Sequence, residues 1–167
     1  MNLASSEFEG RLSLREERAQ DALALARVVQ SAFGPGRFAK TAERVRETAR
    51  LARQLSQVAC HTGDVIGCCR IWEVEAAGAP LYFLGPLAVT PEHQGDGVGA
   101  ALVSASLALC DQVPRSIILI GAPEYFAPFG FRPLPWGGLL WPGPVDAGRC
   151  LWRPANAGSP PPAGLLI

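Results

Sequence analysis

The 167-residue sequence predicts an α+β domain: a mixed, mostly antiparallel central sheet with one parallel strand pair, served by about four helices. Three observations predict it. Strand-like runs at 57–61, 65–74 and 81–89 follow one another through short Gly-containing turns, the pattern of consecutive antiparallel hairpins. An apolar helical run at 97–111 leads into the β-branched Ser116-Ile117-Ile118-Leu119-Ile120-Gly121, so the strands on either side of that helix lie parallel through a right-handed crossover. Finally, 49% hydrophobic against 18% charged residues is the balance of one globular domain able to bury its own core.

The same numbers exclude several classes. A formal net charge of zero argues against a general nucleic-acid binder. No apolar run approaches the roughly 18 residues of a membrane helix, and residues 1–10 lack the basic and apolar regions of a secretory signal, so a cytoplasmic protein is expected. Cys60, Cys68, Cys69, Cys110 and Cys150 form no C-x-x-C pair and leave an odd count, which suits buried apolar filler better than zinc or disulfides. With His61 and His93 the only histidines, a histidine-rich metal site is excluded by count and no metal is expected.

In chain order, residues 1–10 read as a frayed terminus, 11–153 as one domain and the Pro/Gly-rich 154–167 as an irregular tail. Residues 11–15 alternate as a half-buried strand. Asp21 fits an N-cap, and Ala22, Leu25, Ala26, Val29 and Phe33 make one apolar helix face, ended by Gly34-Pro35-Gly36. A second helix is expected over 41–55, with Val45, Ala49, Ala52 and Leu55 inward. Its outer side, carrying Arg44, Arg46, Arg50 and Arg53, is either a solvated basic face or a partner for an acidic substrate or nucleotide phosphate.

The hairpins turn at 62–64 and 76–80. The strand at 81–89 is apolar on both faces and therefore central, yet it contains Gly85-Pro86. Proline has no N–H for a ladder, so pairing should break on one side there and free backbone groups of residues 87–89. The helix at 97–111 should be buried on nearly all sides. Residues 123–129 form a short helix or turn, 131–133 a short strand, 135–148 an ordered loop with one strand, and 149–152 the last strand.

Chemistry concentrates before that long helix. Gly95, Gly97 and Gly99 alternate where it begins, leaving free amides and the positive end of the helix dipole open to an anion. Gly95-x-Gly97-x-x-Ala100 formally fits a dinucleotide fingerprint. However, residues 90–94 separate it from the strand, and no acidic residue follows at the required distance. Neither a nucleoside-triphosphate loop nor a serine-hydrolase elbow is present. A tight turn and close packing alone would explain glycines, but not three alternating ones at a helix start.

The alternative pattern is Gln94-x-x-Gly97-x-Gly99-Ala100, preceded by Leu87-Ala88-Val89-Thr90-Pro91-Glu92 and followed, one strand later, by Tyr125-Phe126-x-x-Phe129-Gly130-Phe131. Here the sequence resembles the GNAT superfamily of N-acetyltransferases, and Leu-Gly-Pro-Leu-Ala-Val with Phe-Gly-Phe looks most like its YhbS-like branch. The resemblance implies the acyl-CoA N-acyltransferase fold, with a splayed, parallel fourth/fifth strand pair. It implies acetyl-CoA as co-substrate, with Leu87, Ala88, Val89, Gln94, Gly95, Asp96, Gly97, Val98, Gly99, Ala100, Phe126 and Phe129 as its binding residues. It further implies acetyl transfer to a primary amine of a small molecule, amino acid or peptide, and leaves a homodimer open.

Catalysis is less legible. The deprotonating base is open among Glu73, Glu124 and Tyr82, with Glu75 a further carboxylate on an element expected to rim the cleft. The family's usual tyrosine acid would fall at Phe126, and Tyr125 beside it would project about 100° away on a helix. That substitution keeps a second reading in play, a non-catalytic acyl-CoA-binding module. The acceptor is expected to approach past residues 34–37 and 136–141.

Overall fold

The computed structural model describes residues 11–36 and 40–167. The frayed terminus expected over residues 1–10, and Arg37 on the acceptor side, lie outside the described residues. Strands β1 (Leu12–Glu16), β3 (Gln57–His61), β4 (Asp64–Ala76) and β5 (Ala79–Val89) pair antiparallel in that spatial order. The two hairpin turns, Thr62-Gly63 and Ala77-Gly78, have positive φ at both residues, as the right-handed twist of the flanking strands requires. Helix α3 (Val98–Cys110) then crosses to β6 (Ile117–Ile120), which lies parallel to β5, and β9 (Cys150–Arg153) and β7 (Arg132–Pro133) complete the sheet. The mixed sheet and its parallel pair are as expected.

Helices cover both faces. On one, Leu102, Val103 and Leu107 of α3 pack on Ile71, Tyr82, Leu84, Ile117 and Leu119. On the other, α1 (Ala22–Phe33) sets Leu25, Val28 and Val29 on Val58, Cys68 and Ala88, while Val45 of α2 (Thr41–Thr48) joins Leu81, Phe83, Ile118 and Trp152. A short α4 (Pro123–Phe126) follows β6.

Five expectations need correction. The second helix stops at Thr48, not near residue 55. Ala49 turns extended, and Arg50–Leu51 forms a two-residue strand β2 on Glu73 and Trp72 of β4. Val45, Ala52 and Leu55 are buried all the same, because the extended segment and the 3₁₀ turn after it (Arg53–Leu55) return to the same core. Asp21 does not cap α1 with its side chain. Its buried carboxylate instead accepts two bonds from Arg15 (2.7 Å each) and one from the Arg18 N–H (2.7 Å), closing the 3₁₀ turn Ala19–Asp21. The hydrogen bonds from Arg15 hold that carboxyl below its ordinary range.

The α1 face is rotated: Leu25, Val28 and Val29 are buried while Ala22, Ala26 and Phe33 are exposed. Helix α3 is buried on one side only, with Ala100, Ser104 and Ala108 facing solvent, since small residues make an exposed face look apolar in sequence. Lastly, the tail is not irregular throughout. Gly164–Leu165 (β10) pairs with Leu139–Leu140 (β8), and Leu166 is buried against the sheet's end.

All five cysteines are buried and unpaired, as the sequence suggested, and burial pushes the thiols of Cys68, Cys69 and Cys110 up to about 12. Titration of native protein with an aromatic disulfide reagent is therefore expected to be slow at all five thiols, and to become rapid in denaturant. A fast native phase would contradict the packing. Among the described residues, no helix is long and apolar enough to cross a membrane, and no group of three or more His, Cys, Asp or Glu residues could hold a metal ion.

Candidate active site

The cleft begins where β5 and β6 part. Their paired positions are Tyr82 with Ile117 and Phe83 with Ile118, and none lies beyond. Opposite β4, Leu84 faces Ile71 but Leu87 faces Cys69, so β5 carries one extra residue across Gly85-Pro86. That bulge switches the strand's faces. Tyr82 and Leu84 pack with α3 before it, and Leu87 and Val89 do so after it, while Ala88 turns to α1.

Backbone directions follow from the ladder. The Thr90 N–H donates to the Ile66 carbonyl (2.8 Å), so by alternation Ala88 also bonds toward β4, while the N–H groups of Leu87 and Val89 point into the gap. On the other wall the Gly121 N–H donates to the Arg149 carbonyl (2.9 Å), which turns the peptide groups of Ile120 toward the same gap. The Gly85 carbonyl accepts from Trp72 Nε1 (2.6 Å) and is thereby fixed. The resulting cleft holds about 570 Å³ and is lined by Gly85, Leu87, Ile120, Gly121, Tyr125 and Phe126, among others.

Beside Tyr125 of that cleft stands the start of α3. Gly97 caps it in the left-handed region (φ 79°), and the first helical bond runs from the Ala101 N–H to the Gly97 carbonyl (3.0 Å). The Val98, Gly99 and Ala100 amides therefore have no carbonyl within the helix, an arrangement suited to an anion. A Cβ on Gly97 would meet nothing within 4 Å, so the space beside the amides is open. Gln94 braces the loop: its Nε2 donates to the Val89 carbonyl (2.9 Å), linking the turn to the bulged strand. Gly95 and Asp96 are exposed on the same loop.

Gly99 makes room for Tyr125, whose hydroxyl oxygen would lie only 2.7 Å from a Cβ at that position. The Tyr125 ring meets Phe126 edge-on (4.9 Å between centroids) and tilts against Phe129 (6.0 Å), and burial raises its phenol above the ordinary value. Phe126 itself is buried and closes the cleft floor against Gly121.

Of the residues singled out in the sequence as catalytic candidates, Tyr125 lines the cleft. Glu73 pairs instead with Arg50, whose Nε donates at 2.6 Å, and faces Arg115 at 3.9 Å. Tyr82 is buried beneath Arg115, and Glu124 is exposed on α4. None of these three is among the described lining residues. Among the cofactor candidates Leu87 and Phe126 line the cleft; Val89 and residues 94–100 are not among its described lining residues, although Gly99 abuts Tyr125, which is.

Sequence reasoning missed Arg46 as a cleft residue, and missed Asp146 and Arg149 altogether. Arg46 reads in sequence as part of an outward basic helix face, either solvated or a partner for an acidic substrate or nucleotide phosphate, whereas its side chain is only 12% exposed. The other two belong to a Gly/Pro-rich loop with no motif, about a hundred positions from the elements they face.

Residues 22–123 match the family model described as Acetyltransferase (GNAT) family. The curated "Uncharacterized N-acetyltransferase YjhQ" of Escherichia coli (strain K12) is 32% identical over 123 residues, or 68% of this chain. The alignment spans 65% of YjhQ, less than two thirds of that relative's length. The chain is also similar in fold to the GNAT family N-acetyltransferase YhbS from Escherichia coli, solved in complex with CoA. The TM-score is 0.73 at 24% identity, covering 93% of this chain and 88% of that one. A GNAT family acetyltransferase from Brucella melitensis in complex with acetyl-CoA gives a TM-score of 0.62 at 28% identity, covering 81% of this chain and 90% of the other.

Proposed function

The chain belongs to the GNAT family of acetyltransferases, and on that premise we propose that it transfers an acetyl group from acetyl-CoA to a primary amine. One observation carries the reading: Leu87, whose amide points into the gap, and Tyr125 line one cleft, and Tyr125 reaches Gly99 among the open amides at the start of α3. The gap amide and the helix-start amides suit two parts of one ligand, a thioester carbonyl and a pyrophosphate. When bound, acetyl-CoA supplies the acetyl carbonyl that the amine attacks and the sulfur that departs.

The chain's own groups have distinct tasks in this proposal. The Leu87 N–H donates to the carbonyl oxygen as charge develops there, worth roughly 3 kcal/mol of barrier. Val98, Gly99 and Ala100 hold phosphate oxygens, and Gln94 keeps their loop in register with the strand. Tyr125, a phenol protonated at neutral pH in any case and pushed further up by partial burial, holds a proton for the departing sulfur. Asp146, the one carboxylate among the described lining residues, is the base available to the incoming ammonium. Glu73, Glu124 and Tyr82 receive no step.

Calorimetry with acetyl-CoA, followed by thiol release across a panel of amines, tests the proposal. Binding with amine-dependent release is expected. Absence of heat with acetyl-CoA and CoA would defeat it. Binding with a flat release trace for every amine would favour a non-catalytic acyl-CoA-binding module, a reading that Phe126 at the family's tyrosine position keeps alive.

Two substitutions refine the acid. Tyr125→Phe should lower kcat about tenfold, a modest loss because water can also protonate a thiolate, with the acetyl-CoA Kd unchanged. A raised Kd at constant kcat would instead assign the hydroxyl to phosphate binding. Phe126→Tyr should keep or raise turnover, and complete loss of activity would count against its packing role.

A further inference from the structure

Lys40, Arg46 and Arg149 line the cleft, opposed among its described residues by a single carboxylate, Asp146. Arg46 is the informative one. Its guanidinium carbon lies 5.9 Å from the Phe83 ring centre, and Phe83 packs with Val45 of α2, on the face of the sheet opposite α3. A phosphate held by the α3 amides is therefore across the sheet from this charge. Arg46 Nη2 donates to Glu43 (2.8 Å), which fixes the side chain, while Nη1 lies 3.6 Å from where a Cβ on Gly85 would stand. The side chain is only 12% exposed, so an arginine is held at depth and aimed at the break in the strand.

Glu43 offsets part of that charge, but Nη1 still offers a directed donor and Lys40 and Arg149 outnumber Asp146, which rewards an amine whose other end is anionic. The remaining acceptor-side wall is apolar, formed by Val29, Phe33, Ala42 and Val145. We infer that the acceptor is an amine carrying a nearby carboxylate, an α-amino acid with an apolar side chain in chemical class. Arg46 Nη1 takes the carboxylate, Asp146 faces the ammonium, and the apolar wall takes the side chain. The inference rests on the acetyl-CoA reading above.

Binding of N-acetyl-leucine and N-acetyl-leucine amide to the CoA-loaded protein tests it by calorimetry, with acetyl transfer to leucine and leucine amide alongside. The carboxylates should bind and react about tenfold better, the scale of one charge-assisted hydrogen bond. Arg46→Gln should reduce that preference to within about twofold, and Arg46→Lys should restore part of it, because lysine keeps the charge without the fork. An amide equal to or better than the acid in the unsubstituted protein overturns the inference, as does binding of neither ligand. A preference that survives Arg46→Gln overturns the assignment to Arg46. Failure of CoA itself to bind is a separate outcome, which defeats the acetyltransferase reading and removes the basis of this one.

Discussion

Gly99→Val is expected to weaken acetyl-CoA binding on the order of a hundredfold while leaving the fold intact, consistent with loss of about two charge-assisted hydrogen bonds. A Cβ at Gly99 would stand 2.7 Å from the Tyr125 hydroxyl and 3.9 Å from Val89 Cγ2. The tyrosine must move, and the added methyls then occupy the approach to the amides. Gly97→Val acts differently: that residue sits at φ 79°, which a β-branched side chain resists, so the cap itself distorts. Calorimetry for the Kd, with circular dichroism for the fold, distinguishes loss of the cradle from unfolding. Unchanged binding in both variants would locate the phosphate site elsewhere.

Glu17→Ala should cost about 3 kcal/mol of stability, read as a shift in the urea midpoint. Glu17 is 3% exposed and accepts two bonds from Arg70, Nε at 2.9 Å and Nη2 at 2.6 Å. Removing it strands a guanidinium whose side chain is 20% exposed. Arg70 also lies over the Trp72 ring, and Trp72 donates to the Gly85 carbonyl, so the bulge should loosen with the pair. Glu17→Leu combined with Arg70→Met should recover much of the loss, because a matched apolar pair needs no desolvation. A double variant as unstable as the single one would show that the charges are not the cause.

Periodicity made the hairpins, the crossover and the break at Gly85-Pro86 readable, since each depends on residues adjacent in sequence. The spacing of Val45, Ala49, Ala52 and Leu55 misled for a physical reason. Buried residues can keep helical intervals while their backbone leaves the helix to pair with Glu73 and Trp72. Asp21 misled because Arg15, on the preceding strand, competed for its carboxylate. The open amides at the start of α3 were legible from the glycine loop's own residues. Arg46 and Asp146 were not legible as partners of one cleft, because only the packed sheet brings α2 and the loop before β9 to the same opening.

The extra residue in β5 also means that the strand is read in two frames. Even positions serve the α3 core up to Leu84, and odd positions serve it from Leu87 onward. Straightening β5 with all its residues kept would send Leu87 and Val89 to the α1 side while Ala88 turned to α3. Losing the bulge without losing a residue would thus exchange two hydrophobic cores at once. The opening is consequently protected by the packing on both faces of the sheet, far more firmly than a flexible loop could protect it.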